Sequence, residues 1–447
     1  MHLTKHLLLC VSLLTTLILS PLAKADGVPA ILSMKERAAF IDNITELRVN
    51  TLMPSLMKQH NIDMWLLISR EYNEDPILKT MLPATWLSAR RTTILLFALN
   101  EQGNVDAYAI APYKIGNVFT KGWDKKAQPS QWQALNDIIE RYNPDNIALN
   151  TSTDWGHADG LVLGDYNTLM ANLPSAYKNK IISAEPLAVA WLEQRIPQEI
   201  DMYKHIVAIA HAIIAEGFSS KVITVGKTTS DDLVWWFRER VKELKLQTWF
   251  HPSIAIQRAD SKSFDHEDSF TNGYADNVIQ AGDLLHVDFG ITYLRLNTDT
   301  QQHAYVLKPG ETIAPAYLVD ALKKGNKLQD IFTAEFSEGK TGNQVLKAAR
   351  EKAIAQGLKP TIYTHPLGYH GHAAGTTLGM WDSQQGVSGD GDYPLHLNTA
   401  YSIELNNAVF IKPWNKEIRI MLEEDAIFDK TGVWYLNGRQ TELLLVK

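Results

Sequence analysis

An α/β (α+β) fold in two domains is what the sequence predicts, on three observations. Before Pro197, short apolar runs of strand character alternate with helical stretches, which predicts a mixed sheet flanked by helices. After it, two helical patterns give way to strand-like segments with long connections. Within those segments stand Asp288, Asp299, His372, Glu404 and Glu423. Four carboxylates and one imidazole are the donors that a pair of divalent cations takes.

Residues 1–25 read as a signal peptide. Lys5 precedes a mostly apolar run from Leu7 to Leu19, and Ala23-Lys24-Ala25 forms a small-x-small cleavage pattern. The run is too short to span a bilayer. The single cysteine, Cys10, lies within it, so the rest of the chain relies on its core and any bound metal rather than on disulfides. The net charge of −7 becomes −9 when Lys5 and Lys24 leave with the signal. With no basic run, no nucleic-acid partner is expected. No later segment has the apolar length of a membrane span, so no membrane association is expected after cleavage. The expectation is an exported protein, periplasmic or secreted.

The domain expected over 26–195 opens with a helical pattern from Met34 to His60, closed by Asn61-Ile62-Asp63. Strand runs follow at MWLLIS (64–69), TTILLFAL (92–99), VDAYAI (105–110) and NPDNIALN (143–150). Arg70, Glu71 and Asp75 are expected to be solvated loop charges.

The domain expected over 196–447 starts with Pro197 in the first turn of a helix, with Glu199 and Asp201 near its positive end. Ile200, Tyr203, Val207, Ala210 and Ile214 form its apolar face. His205 and His211 on this helix are expected to be satisfied or surface histidines. A second helix is expected over 230–244, with Trp235 and Trp236 as packing residues. DLLHVDFG and TYLRLNTDTQQHAYVL predict a hairpin, and two helices are expected between Ala314 and Gln356, punctuated by Gly325-Asn326 and by Gly339 to Gly342. SIELNNAVFI, EIRIMLEEDAIFD and GVWYLN are strand-like.

Alternation along a strand puts His286, Asp288 and Gly290 on one face, and Leu285, Val287 and Phe289 on the other. A hairpin return brings Asp299 back across from Asp288. Ser402 and Glu404 likewise share a face opposite Tyr401, Ile403 and Leu405. A carboxylate buried alone among such residues is costly, and a cation offsets that cost.

On these residues the C-terminal half resembles the pita-bread metallopeptidases: methionine aminopeptidase, aminopeptidase P, prolidase and the related creatinase. The ligand order Asp, Asp, His, Glu, Glu is matched, with eleven residues from Asp288 to Asp299. Val287 to Gly290 match the family's VDFG-like strand, His372 to Gly375 its His-x-x-Gly, and Ile403-Glu404 its apolar-Glu strand. Glu423 matches the last ligand, with Glu424 as its rival on register. The block before Pro197 resembles the creatinase-type N-terminal α/β domain.

The resemblance implies a hydrolase with two divalent metal ions, Mn²⁺ first, with Zn²⁺, Co²⁺ or Fe²⁺ as other candidates. It implies an activated water attacking a peptide carbonyl, and Glu404 passing a proton to the leaving nitrogen. The substrate it implies is a short peptide of the Xaa-Pro type, and a homodimer is expected by analogy. His365 or His370 would contact substrate or stabilise the oxyanion, and His370 is the rival ligand. A further family histidine corresponds to His266 or to His251. Arg419 is either a partner to a ligand carboxylate or a strand surface charge. Relatives carry a second histidine seven residues after the ligand histidine; counted from His372, that position is Gly379. This departure favours, as an alternative, hydrolysis of a non-peptide amide or C–N bond. A third reading is an inactive metal-binding homologue.

Overall fold

The computed structural model describes residues 27–262 and 277–447. The expected signal peptide and His266 lie outside the described residues.

In the first domain the expected long helix folds as α1 (Met34–Leu47) and α2 (Met53–Gln59), joined by a wider helical turn at Arg48–Leu52. The strands are β1 (Met64–Arg70), β2 (Thr92–Leu99), β3 (Val105–Ile110), β4 (Thr120–Lys121), β5 (Ile147–Leu149) and β6 (Ile181–Ser183). They form one sheet in the order β4-β3-β2-β1-β5-β6. β1 runs antiparallel to β2 and parallel to β5, so the sheet is mixed as the sequence predicts. The central strands β1 and β2 are mostly apolar because both faces are covered. Trp65, Leu67 and Phe97 pack on one side, and Leu66, Ile68 and Leu96 on the other. Helices α3 (Pro76–Met81), α4 (Gln131–Tyr142), α5 (Leu163–Asn172), α6 (Ser175–Lys178) and α7 (Glu185–Glu193) complete the domain.

One expectation fails here. Asp75 is 1% exposed, not a solvated loop charge. It caps α3 by accepting the N–H groups of Ile77 and Leu78, and Asn150 donates to its other oxygen. Burial pushes its carboxyl up to about 6 despite these bonds. Arg70 and Glu71 do stay exposed.

In the second half, α8 (Pro197–Gly217) and α9 (Ser230–Glu243) pack on the sheet β19-β11-β8-β7. Its strands are β7 (Ser253–Gln257), β8 (Leu284–Phe289), β11 (Thr300–Val306) and β19 (Leu444–Val446), with a short hairpin β9 (Thr292–Tyr293) and β10 (Leu296–Asn297) between β8 and β11. Ile206, Phe237, Val287 and Phe289 share this core. Helices α10 (Ala316–Thr333) and α11 (Gly342–Ala355) cover the remaining strands: β12 (Pro360–Ile362), β13 (His365–Leu367), β14 (Thr399–Ser402), β15 (Leu405–Ile411), β16 (Lys416–Leu422), β17 (Asp425–Asp429) and β18 (Gly432–Tyr435). Leu322, Leu346, Leu405 and Ile420 form that second core. No helix among the described residues is long and apolar enough to cross a membrane.

Gly325-Asn326, expected as punctuation, lies inside α10. A Cβ on Gly325 would stand 2.8 and 2.9 Å from the side chains of Ile420 and Leu422, so the glycine lets the helix seat on the sheet. Glu199 does more than favour a helix N-terminus. It is buried at the joint of the two halves, where Arg48 (2.5 Å) and Arg195 (3.0 Å) both pair with it. Both arginines together hold its carboxyl below the usual range, against the upward push of burial.

Candidate metal centre

Two breaks in regular strands build the site. The stretch β14–β15 is interrupted at Ile403-Glu404, and β16–β17 at Glu423-Glu424. The register sets these breaks side by side: Leu405 pairs with Leu422 on one flank, and Ser402 with Asp425 on the other. Each chain changes sheet there, and Glu404 and Glu423 project into the same space. Asp288 enters from β8, directly opposite Gln301 of β11, and Asp299 immediately precedes β11. The Gln301 and Glu423 main chains exchange N–H···O bonds of 3.0 and 3.3 Å, which docks β11 onto the second break.

The resulting cluster is close and buried. Oxygens of Asp288, Asp299 and Glu423 lie within 4.8 Å of one another, as do donor atoms of His365, Glu404 and Glu423. His365 Nε2 stands 3.6 Å from Asp299, 3.7 Å from Glu423 and 4.0 Å from Glu404. Its Nδ1 lies 3.0 Å from the Pro366 carbonyl, which accepts the proton there and turns a bare Nε2 toward the acids. The Gln301 amide donates to Glu404 (2.5 Å) and to Glu423 (2.8 Å), while its oxygen meets His286 Nε2 at 2.9 Å. Ser402 donates to Glu423. Gln301 carries no distinguishing pattern in the sequence, whereas alternation already placed His286 and Ser402 on the faces of Asp288 and Glu404.

Whether these residues fit a cation is decided by what they lack. Asp288 Oδ1, Asp299 Oδ1 and His365 Nε2 are buried and have no hydrogen-bond partner. Lone pairs therefore face lone pairs. Burial, together with the neighbouring acids, raises the carboxyls of Asp299, Glu404 and Glu423 well above the ordinary range. Burial brings Asp288 up to about 7. Burial, then His372, pushes His365 down to about 3, so its ring is neutral. A divalent ion would answer every one of these costs at once.

A pH dependence follows. Without metal, each raised carboxyl holds its proton more tightly folded than unfolded. The stability this brings is complete below the unfolded carboxylate pKa of about 4 and is lost as pH rises. For Asp288 the loss runs through about 7, and for the other three it extends higher. Bound metal keeps the same groups ionised and removes the effect. Melting curves from about pH 5 to 8 should therefore show metal-free protein falling relative to metal-loaded protein. A constant gap would mean that cations do not bind among these acids.

The other sequence-derived candidates separate clearly. Glu423 faces the cluster, whereas Glu424 turns away to His211 (2.8 Å), Gln302 and the Gln440 main chain. His211 is thus a satisfied histidine, and so is His205, whose Nε2 meets the Ala30 carbonyl at 2.7 Å. Arg419 reaches Asn406 (3.3 Å) and not a carboxylate of the cluster. Trp236 packs into the core, but Trp235 is 52% exposed against His251.

The structure places the three histidines of this stretch in different surroundings. His372 is the metal-ligating histidine that the sequence predicts. It is exposed, groups with Asp299 and His365 only, and lies edge-on to His365 with ring centres 4.6 Å apart. Trp249 packs on its other side at 5.2 Å. His365, expected as a substrate contact, instead meets three of the acids. His370 points elsewhere, with its ring 4.3 Å from that of His157. Gly379 has φ +82°, and a Cβ there would lie 2.3 Å from the Ile362 carbonyl, so no histidine fits that position. Seven residues after His365 stands His372, and His365-Pro366-Leu367-Gly368 is itself a His-x-x-Gly. That second copy of the pattern was the available signal.

The cluster opens into a cavity of about 860 Å³. Trp249, Phe250, Tyr363 and Trp381 line it from the second half, and Asp154 to His157 from the first.

Comparison with known proteins agrees with this architecture. Residues 201–428 match the family described as metallopeptidase family M24. The fold resembles that of an X-Pro aminopeptidase from Thermotoga maritima (17% identity, TM-score 0.61, covering 88% of this chain and 100% of that one). It also resembles a Xaa-Pro dipeptidase from Bacillus anthracis (16%, 0.54, 92% and 100%). An alanine variant of Escherichia coli aminopeptidase P is similar as well (12%, 0.59, 92% and 97%). Comparison with curated protein sequences finds no match. The family match spans more than half of the chain and contains all four clustered carboxylates and His365, so this protein belongs to metallopeptidase family M24.

Proposed function

We propose that this metallopeptidase cleaves short peptides of the Xaa-Pro type, as an aminopeptidase or dipeptidase, with two divalent metal ions as cofactor. The observation that carries this reading is the buried group of Asp288, Asp299, His365, Glu404 and Glu423, with bare donor atoms at the base of a peptide-sized cavity. His365 takes the ligand role expected of His372. The three carboxylates around it and the seven-residue interval to His372 support that exchange. The oxygen-rich donor set favours Mn²⁺.

Asp288, Asp299, His365, Glu404 and Glu423 would hold such ions, which would supply a water of lowered pKa and polarisation of the scissile carbonyl. The chain's own residues do the rest. Gln301 and Ser402 hold Glu404 and Glu423 in place. Glu404 takes a proton from the attacking water and passes it to the leaving nitrogen as the C–N bond breaks. His372, steadied by Trp249, donates to the developing oxyanion. Replacing Gln301 by Ala should weaken metal binding by about 10- to 100-fold while the fold persists; wild-type affinity in a calorimetric titration would remove Gln301 from this role.

The signal-like segment 1–25 supports export to the periplasm or medium, and a homodimer is proposed by analogy. The alternative of a non-peptide amide substrate rested on Gly379. With His372 at the seven-residue position, that support is gone. Elemental mass spectrometry together with a peptide panel tests the proposal. About two divalent ions per chain and turnover of Xaa-Pro peptides are expected. Full metal loading with no peptide turned over would overturn the substrate assignment.

A further inference from the structure

His372 lines the cavity from an irregular stretch, Gly368 to His372, just beyond the end of β13. Whatever holds that stretch decides where the imidazole stands. One part of the hold comes from the second domain. The Gly368 carbonyl accepts the main-chain N–H (2.9 Å) and the side-chain amide (3.0 Å) of Asn297. The Gly368 N–H donates to the His370 carbonyl (3.1 Å), which closes a tight turn. Gly371 lies so near Trp249 that a Cβ there would stand 2.4 Å from the indole.

The other part of the hold comes from the joint between the domains. Tyr369, between these two glycines, packs against the core of the first domain. The guanidiniums of Arg48 and Arg195 lie over its ring, 5.3 and 4.8 Å from the centre. Arg48 also lies over Trp191 at 4.4 Å and donates to the carbonyls of Trp191 and Gln194. Glu199 pairs with both arginines, so moving either guanidinium off the ring breaks a buried ion pair. A planar guanidinium on an aromatic face supplies orientation as well as attraction. Tyr369 does not line the cavity, so it can reach the chemistry only through the chain it shares with His372.

We propose that Tyr369 is a positioning residue for His372. Held by Arg48 and Arg195, it lets the first domain set where the imidazole stands beside the acid cluster. This rests on the reading of His372 as oxyanion donor. The test compares Mn²⁺-loaded Tyr369→Leu, which deletes the ring, with Tyr369→Phe, which keeps it. Steady-state kinetics on an Xaa-Pro peptide are read beside the rate at which diethyl pyrocarbonate modifies His372, located by mass spectrometry. Tyr369→Leu should lose about 10-fold or more in kcat with KM within about two-fold, and shift the His372 modification rate by about three-fold or more. Tyr369→Phe should match wild type on both. Where Tyr369→Leu does not fold, Tyr369→Met, whose flexible chain fills irregular gaps, carries the same test. An unchanged modification rate, or a Tyr369→Phe as impaired as Tyr369→Leu, would overturn the proposal. So would an unchanged kcat in Tyr369→Leu when His372→Ala is itself impaired. A shifted modification rate with wild-type kcat in His372→Ala would support the positioning and overturn the oxyanion reading instead. The modification rate needs no turnover, so it decides even where the peptide reading fails.

Discussion

Asp299→Asn should abolish peptide hydrolysis and metal loading, yet raise the melting temperature of the metal-free protein. The two effects have one cause. Asp299 is 4% exposed, and the neighbouring carboxylates of Asp288, Glu404 and Asp425 add to the burial that disfavours its charge. The amide keeps the volume and removes the charge, so metal-free protein is relieved. With metal the sign reverses, because Asp299 belongs to two of the candidate donor groups. Metal at about a hundred-fold above its dissociation constant stabilises wild-type protein by about 2.7 kcal/mol, and the variant forfeits this. Melting curves with and without Mn²⁺, read beside metal content, check it. A variant that binds two ions and turns over peptide normally would sink the site.

The second large effect distinguishes two histidines. His365→Ala should lower metal affinity by about 100-fold or more, because among the described residues it removes the one imidazole facing three of the acids. His372→Ala should keep its metal within a few-fold and lose about 10²- to 10³-fold in kcat, the scale for losing one oxyanion donor. Metal titrations and steady-state kinetics on both variants separate the roles. The opposite pattern would return His372 to the ligand position.

Much of this was legible in the chain. The mostly apolar runs at 64–69 and 92–99 became β1 and β2, because a strand covered on both faces is largely apolar, and 105–110 became β3. Asp288 and Asp299 were readable from alternation and a hairpin return, both local properties. Asp75 was misread because its burial depends on Asn150, which is distant in sequence. Gly325 was misread because its reason lies in Ile420 and Leu422 on a facing strand.

The sequence by itself determined the domain order, the four carboxylates and the metallopeptidase family, since these follow from residue type and short-range spacing. Only the tertiary structure decided which histidine meets the acids, that Glu424 belongs to His211, and that Gln301 donates to both Glu404 and Glu423. His365 and His372 both open a His-x-x-Gly, so spacing alone cannot rank them. The ranking comes from β13, which pairs His365 with Ser402 beside the strand breaks and leaves His372 on the loop beyond.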